Sequence, residues 1–187
     1  MAALSLFQTK GFDETTTREI ARKAGIAEGT VFNYFPTKDD IALHFFGMEV
    51  DHAIAVVRGD KRLRKAPLEE KLFVLIQTQL DFLAPYEGFI GAALIQALRP
   101  TSKLGPLSPQ MHELNRRYLA FVEELITESA PKRRVSPFAA WAPLAFWIFY
   151  LGVVLYWLND PSRGKQHTLA FLDRSLTMGV RVLIRGR

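Results

Sequence analysis

An all-α fold of about nine helices is what this 187-residue chain predicts, and three observations predict it. Apolar residues recur at the helical period along most of the chain, and no window alternates β-branched and polar residues as a half-buried strand would. Turn signals divide the chain at Lys10-Gly11, Ala24-Gly25, Phe35-Pro36, Ala66-Pro67, Arg99 to Pro109, Ala130 to Pro137 and Asn159 to Gly164. With 49% hydrophobic and 23% charged residues, the chain can bury a sizeable core.

The first helix, 2–10, runs to the Lys10-Gly11 turn. The second, 16–24, opens on a capping box, in which Thr16 and Glu19 each bond the other's backbone amide. Ile20, Ala21 and Ala24 share one of its faces, and Gly25 can adopt the left-handed conformation that ends it. A short third helix, 28–34, follows with Val31 and Tyr34. The Thr37–Asp40 spacing is a second capping box, opening a long fourth helix over 38–57. The remaining punctuation leaves helices at 67–84, 87–98, 109–129, 137–158 and 163–185. The run Arg58 to Lys65 holds five basic residues and reads as a solvated loop. A small head followed by a larger helical body is the resulting layout.

Several function classes lose their support. There is no cysteine, so disulfides, thiolate metal sites and a cysteine nucleophile are ruled out. The opening MAALSLFQTKGF does not have the build of a signal peptide, and a cytoplasmic location is expected. His44, His52, His112 and His167 are scattered without metal-ligand spacing, and no nucleophile elbow, phosphate loop or dinucleotide fingerprint occurs. The acidic pairs Asp39-Asp40, Glu69-Glu70 and Glu123-Glu124 read as solvated helix faces. Neither catalysis nor a cofactor or metal is expected. Net charge is +5, but residues 1–47 carry five basic against six acidic side chains, so charge does not nominate this part as a nucleic-acid binder.

The pattern at 16–34 does nominate it. A small residue, Ala21, lies four positions before the turn glycine, where a second helix must cross closely, and apolar residues flank the turn. That is a helix-turn-helix with 28–34 as the recognition helix. Around it, LFQTKGFDETTTREIA and GIAEGTVFNYFPTKDDIALHFF resemble the tetracycline-repressor-type (TetR) family over about residues 2–46. The resemblance implies an all-α fold: a three-helix DNA-binding head with the helix-turn-helix, a connecting fourth helix, and a larger ligand-binding and dimerisation body. Residues 1–47 would form the head and 48–187 the body. The implied protein is a homodimeric regulator, a repressor of the ligand-released kind, whose partners are a palindromic double-stranded operator and a small, mainly apolar effector.

Roles at the matched positions follow from their chemistry. Thr16 and Thr17 lie at a helix N-terminus, where hydroxyls and amides suit a phosphate. Arg18 matches a family position that reaches a base, and a bidentate grip on guanine is its simplest role. Glu28 opens the recognition helix, and Gly29 lets that helix approach DNA closely. Thr30 suits a thymine methyl or a phosphate, and Asn33 an adenine or a phosphate. Tyr34 and Lys38 resemble phosphate clamps. Phe32 departs from the family's usual tyrosine, and Ala27 from its usual small polar cap, which is worth ~0.5–2 kcal/mol. The chain also begins inside what the resemblance makes helix one, where relatives usually have another turn or two and often a basic arm.

In the body, Leu169, Leu172, Leu176, Gly179 and Leu183 recur at 3-4-3-4 spacing, a helix-packing seam. With Trp157 of the preceding helix they are expected to form the dimer interface. Gln77, Gln96, His112, Asn115 and Tyr118, with Phe82, Trp141, Trp147 and Tyr150, are expected to line an effector cavity. Residues 138–158 are 21 consecutive uncharged residues, long enough to cross a bilayer. A buried helix without membrane contact is preferred: Trp147 falls mid-segment rather than in an interfacial belt, and Pro143 sits seven residues after a candidate N-cap, Ser136. The alternative is a single-pass membrane-associated DNA-binding protein that uses 138–158 as its span.

Overall fold

The computed structural model describes residues 1–106, 108–129 and 141–185, with side chains as far as residue 182. Among these residues it has nine α-helices and no strand. They are α1 (Ala2–Thr9), α2 (Thr17–Ala24), α3 (Glu28–Tyr34), α4 (Lys38–Gly59), α5 (Leu68–Leu83), α6 (Glu87–Ala97), α7 (Pro109–Ser129), α8 (Ala142–Leu158) and α9 (Gln166–Arg185). Short 3-10 turns occur at Leu63–Lys65, Ala84–Tyr86 and Arg163–Lys165. Every expected helix has its counterpart. The largest shift is at α8, where Trp141 is the N-cap and Pro143 falls in the first turn, where its missing N–H breaks no helical bond. Ser136 lies outside the described residues.

Two compact units are formed. The first takes Met1–Glu49 together with Leu83–Leu114, so α6 folds with the three-helix head, although a boundary at residue 47 would assign it to the body. Its centre is a cluster of rings. Phe7 of α1 stacks on Phe89 of α6 with centroids 5.0 Å apart, and Phe12 and Phe45 approach the same Phe89 ring at 5.8 and 5.5 Å. Full burial of each such side chain is worth roughly 1.5–3 kcal/mol. No β-branched pattern competes with this aromatic helix packing.

The second unit takes Val50–Phe82 and the chain from Asn115 onward. Its core lines up the faces Leu72, Leu75, Ile76 and Leu80 of α5, Phe121, Val122 and Leu125 of α7, Val153, Val154 and Trp157 of α8, and Leu172 and Leu176 of α9. The turn between α8 and α9 is held by buried Asp160, which accepts from the Ser162 N–H at 2.9 Å, the Thr168 N–H at 2.8 Å and the Thr168 hydroxyl at 2.7 Å. Helix α8 has 17 residues, five of them buried against the protein, and among the described residues no helix is long and apolar enough to cross a membrane. The single-pass alternative therefore loses its support; residues 138–140 of that segment lie outside the described residues.

Candidate nucleic-acid interface

The helix-turn-helix is built from local bonds. Glu19 N–H donates to the Thr16 hydroxyl at 3.2 Å, and Thr16 N–H donates to the Glu19 carboxylate at 3.0 Å, closing the capping box. Lys10 adds a 2.7 Å hydrogen bond to the second carboxylate oxygen. The Lys10 bond first, and the Thr16 bonds with it, lower the Glu19 pKa to about 2. Gly25 takes φ 69°, ψ 29° and ends α2, with Ile26 N–H donating back to the Ala21 carbonyl at 3.1 Å. Ala27 caps α3 with no side-chain bond, as its methyl dictates. The two helices pack with Ile20, Ala21 and Val31 buried, and Val31 is the only buried residue of α3.

That packing leaves the rest of α3 outside. Glu28, Gly29, Thr30, Asn33 and Tyr34 are exposed, as are Thr16 and Arg18, with Thr17 half-buried. Arg18 Nε donates to Glu28 Oε2 at 3.0 Å, tying α2 to α3. Both partners are largely solvated, so the pair is worth ~0–1 kcal/mol and is easily exchanged for another acceptor. A carboxylate repels phosphate, so Glu28 is better described as the group that holds Arg18 than as a DNA contact. The surface thus offers a guanidinium, a hydroxyl, a carboxamide and a phenol on two rigidly joined helices.

Lys38 has partners inside the head. Its ammonium donates to the Phe12 and Asp13 carbonyls, both at 2.7 Å, and lies 5.1 Å from the Phe12 ring centroid. Burial is the first cause of its lowered pKa. These two bonds use two of the ammonium's three N–H donors and leave the third for another acceptor. Lys38 therefore pins the start of α4 to the α1–α2 loop in addition to any contact that it makes with a phosphate.

The next residues correct an expectation. Asp39 is not solvated: it is buried and accepts from the Ser102 hydroxyl at 2.8 Å, the Lys103 N–H at 2.9 Å and the Gln96 amide at 3.2 Å. Asp40 accepts from Thr37 at 2.6 Å and from Lys103 Nζ at 2.7 Å. Burial pushes the Asp40 carboxyl up, but the Lys103 and Thr37 bonds outweigh it and hold the group below its usual value. Arg99 reaches Asp13 at 3.2 Å. The first turn of α4 is therefore fastened to the α1–α2 loop on one side and to the end of α6 on the other. Gln96 belongs to this cluster rather than to an effector cavity in the body. The Thr37–Asp40 spacing announced half of the cluster; nothing local announced Asp39's partners.

The other expected effector residues scatter. Tyr118 and Tyr150 do come together, with ring centroids 5.7 Å apart and Phe146 6.1 Å from Tyr118. Tyr118 donates to the carboxamide oxygen of Gln79 at 2.7 Å. Gln79 is fully buried and was missed; helical spacing from Leu72, Leu75 and Ile76 puts it on the core face and leaves Gln77 beside it. Gln77, Asn115 and Trp147 are half-buried, and Phe82 sits 5.6 Å from the His52 ring. His112 and Trp141 are exposed.

The expected dimer seam divides. Trp157, Leu172 and Leu176 are buried within their own unit, so they serve one chain's core and not a surface open to a second copy. Leu169 is half-buried and Gly179 exposed, while the side chain of Leu183 lies outside the described residues. The exposed apolar stripe lies one position over: Phe171, Met178 and Val182 of α9, and Leu144, Ile148, Leu155 and Tyr156 of α8. Phe171 and Tyr156 join the two helices' halves of it, their rings 5.3 Å apart.

Comparison with known proteins places this architecture. Residues 1–45 match the family described as "Bacterial regulatory proteins, tetR family", and residues 71–186 match "Tetracyclin repressor-like, C-terminal domain". The "Fatty acid metabolism regulator protein" of Bacillus subtilis (strain 168) is 28% identical over 127 residues, covering 68% of this chain and 63% of that protein. The chain thus spans less than two thirds of this curated relative. Among solved structures, a TetR transcriptional regulator from Nitrosomonas europaea ATCC 19718 has the same fold, with TM-score 0.73 and 20% identity over 95% of this chain and 92% of that one. The transcriptional regulator FadR from Bacillus subtilis, solved in complex with stearoyl-CoA, aligns with TM-score 0.65 and 22% identity over 100% of this chain and 96% of that one.

Proposed function

The chain belongs to the TetR family of bacterial regulatory proteins, and from that premise we propose that it is a cytoplasmic, ligand-responsive repressor that binds a palindromic operator as a homodimer. The observation that carries this reading is the left-handed turn at Gly25, which buries Val31 and leaves Arg18, Thr30, Asn33 and Tyr34 outside on two fixed helices. Residues 1–47 read DNA; residues 48–187 bind the effector and dimerise. Arg18 and Asn33 read bases, Thr30 takes a thymine methyl or phosphate, and Thr16, Thr17 and Tyr34 position the head. Dimerisation uses the exposed stripe of α8 and α9, since an apolar face of that extent is what a partner copy would cover.

The effector is a fatty-acyl compound. Support comes from the relatives named above, one a fatty acid metabolism regulator and one bound to stearoyl-CoA, and from the Tyr118, Phe146 and Tyr150 rings around the buried Gln79 carboxamide. Helix α4 passes from one compact unit into the other. Because Lys38 holds the Phe12 and Asp13 carbonyls, any rotation of α4 drags the α1–α2 loop and the reading helices with it. Recognition helices read successive major grooves only ~34–36 Å apart, so such a rotation releases DNA.

Selection of bound fragments from randomised DNA tests the reading, with a symmetric site as the expected product. Linkage supplies the second test: operator DNA must weaken acyl binding by the factor by which the acyl compound weakens DNA binding. Equal acyl affinity for free and operator-bound protein would rule induction out.

A further inference from the structure

Two charged side chains of the recognition face are joined to each other. Arg18 is the second residue of α2 and Glu28 the first of α3. Ile20, Ala21 and Val31, buried where the two helices pack, fix both backbones. Arg18 Nε donates to Glu28 Oε2 at 3.0 Å, and the two side chains stay open to solvent, 83% and 47% exposed. The carboxylate next to Arg18 in sequence, Glu19, is engaged elsewhere, by Lys10 at 2.7 Å and the Thr16 N–H at 3.0 Å.

That bond leaves a defined set of groups free. With its Nε–H given to Glu28, Arg18 keeps the Nη pair, the end of the guanidinium fork, for donation. Glu28 keeps Oε1, which has no partner among the described residues, for acceptance. The joined pair therefore presents donor, donor, acceptor. Base pairs differ in the order of the groups they show in the major groove. G·C offers the acceptors N7 and O6 and then the cytosine N4 donor. A·T and T·A both put a donor in the centre, against a donor of Arg18. C·G offers the G·C order reversed. One pair in one orientation matches.

We propose that Arg18 and Glu28 read a single G·C base pair as a unit, Arg18 donating to guanine N7 and O6 while Glu28 accepts from the cytosine amino group. This rests on the DNA-reading role proposed above and makes Glu28 a specificity-determining residue. Phosphate repels the Glu28 carboxylate on every sequence, and the cytosine amino group offsets that repulsion on one. In water the Arg18–Glu28 bond is weak; a base edge that excludes water strengthens it.

Selection from randomised DNA, followed by affinity measurements on the selected duplex and its single-base-pair variants, tests the unit. Wild type should select a G·C pair in each half-site and prefer it to A·T, T·A and C·G by at least about tenfold. Arg18→Ala and Glu28→Ala should each lower the preference about tenfold, at the same base pair. Glu28→Ala should also tighten binding to non-specific duplex severalfold, and Arg18→Ala should not. Glu28→Gln, which keeps an acceptor oxygen without the charge, should retain part of the preference. Both positions are exposed, so these variants should fold. A symmetric site whose preference is unchanged in Glu28→Ala would overturn the unit and leave DNA reading intact. So would Glu28→Ala relaxing a different base pair from Arg18→Ala, or weakening all sequences alike. No symmetric site with wild type would overturn the repressor reading, and the unit with it.

Discussion

Helices α3 and α8 both leave side chains in solvent, and they do so for opposite reasons. Helix α3 buries one residue, Val31, and exposes the Phe32 ring beside a polar set around Asn33 and Tyr34. Helix α8 carries no charge at all, buries five residues and still exposes Leu144, Ile148, Leu155 and Tyr156. In α3 the exposed groups other than Phe32 are donors and acceptors with few internal partners, suited to base edges and phosphates. In α8 they are apolar and continue onto Phe171, Met178 and Val182 of α9, suited to another apolar face. Exposure matters here only together with what the exposed atoms can do.

The largest effect should come from crossing between the two sides of the α8–α9 pair. Leu172 is 0% exposed and Met178 is 69% exposed. Leu172→Ala should cost ~2–5 kcal/mol of folding stability by denaturant titration. Met178→Ala should stay within ~0.5 kcal/mol in the same experiment. In sedimentation the order reverses: Met178→Glu should shift the protein from about twice 21.2 kDa toward the single-chain mass. A wild-type monomer at micromolar concentration would break the comparison.

Next in size is the contrast within the head. Asn33→Ala should lose ~1–3 kcal/mol of operator affinity and relax selectivity at one base pair. Lys38→Met should instead lower folding stability, by ~1–3 kcal/mol for its lost charge-assisted bonds, while the salt dependence of DNA binding keeps its slope. A slope flatter by about one unit would show that Lys38 does neutralise a phosphate. Gly25→Ala is smaller, about 1–2 kcal/mol. Its φ is 69°, and an added Cβ meets no neighbour within 4 Å, so the cost is conformational and not steric.

The smallest effect is titration of the capping box. Glu19 is lowered from 4.5 to about 2 on folding, so its contribution is complete above pH 4.5 and is lost as pH falls through about 2. The melting temperature of wild type should decline more steeply than that of Glu19→Gln across this window. Parallel curves would mean that the Lys10 and Thr16 bonds do not survive in solution.

What the sequence determined is what neighbours within about four residues determine. Thr16 with Glu19, Gly25 and Thr37 with Asp40 form bonds closed by adjacent backbone, so composition and spacing suffice to place them. The helices and the reading head follow from such local signals together with the 3.6-residue period. The tertiary structure decided the rest. Asp39 looked like half of a solvated acidic pair until Gln96 and Ser102, 57 and 63 residues away, were brought to it. Lys38 showed no partner within the protein until the carbonyls of Phe12 and Asp13 arrived from 26 and 25 residues upstream. On α9 two apolar stripes lie side by side, one through Leu172 and Leu176 and one through Phe171 and Met178. Periodicity finds both and cannot rank them, because which stripe is core depends on where the other helices pack, and that is set by contacts no local window contains.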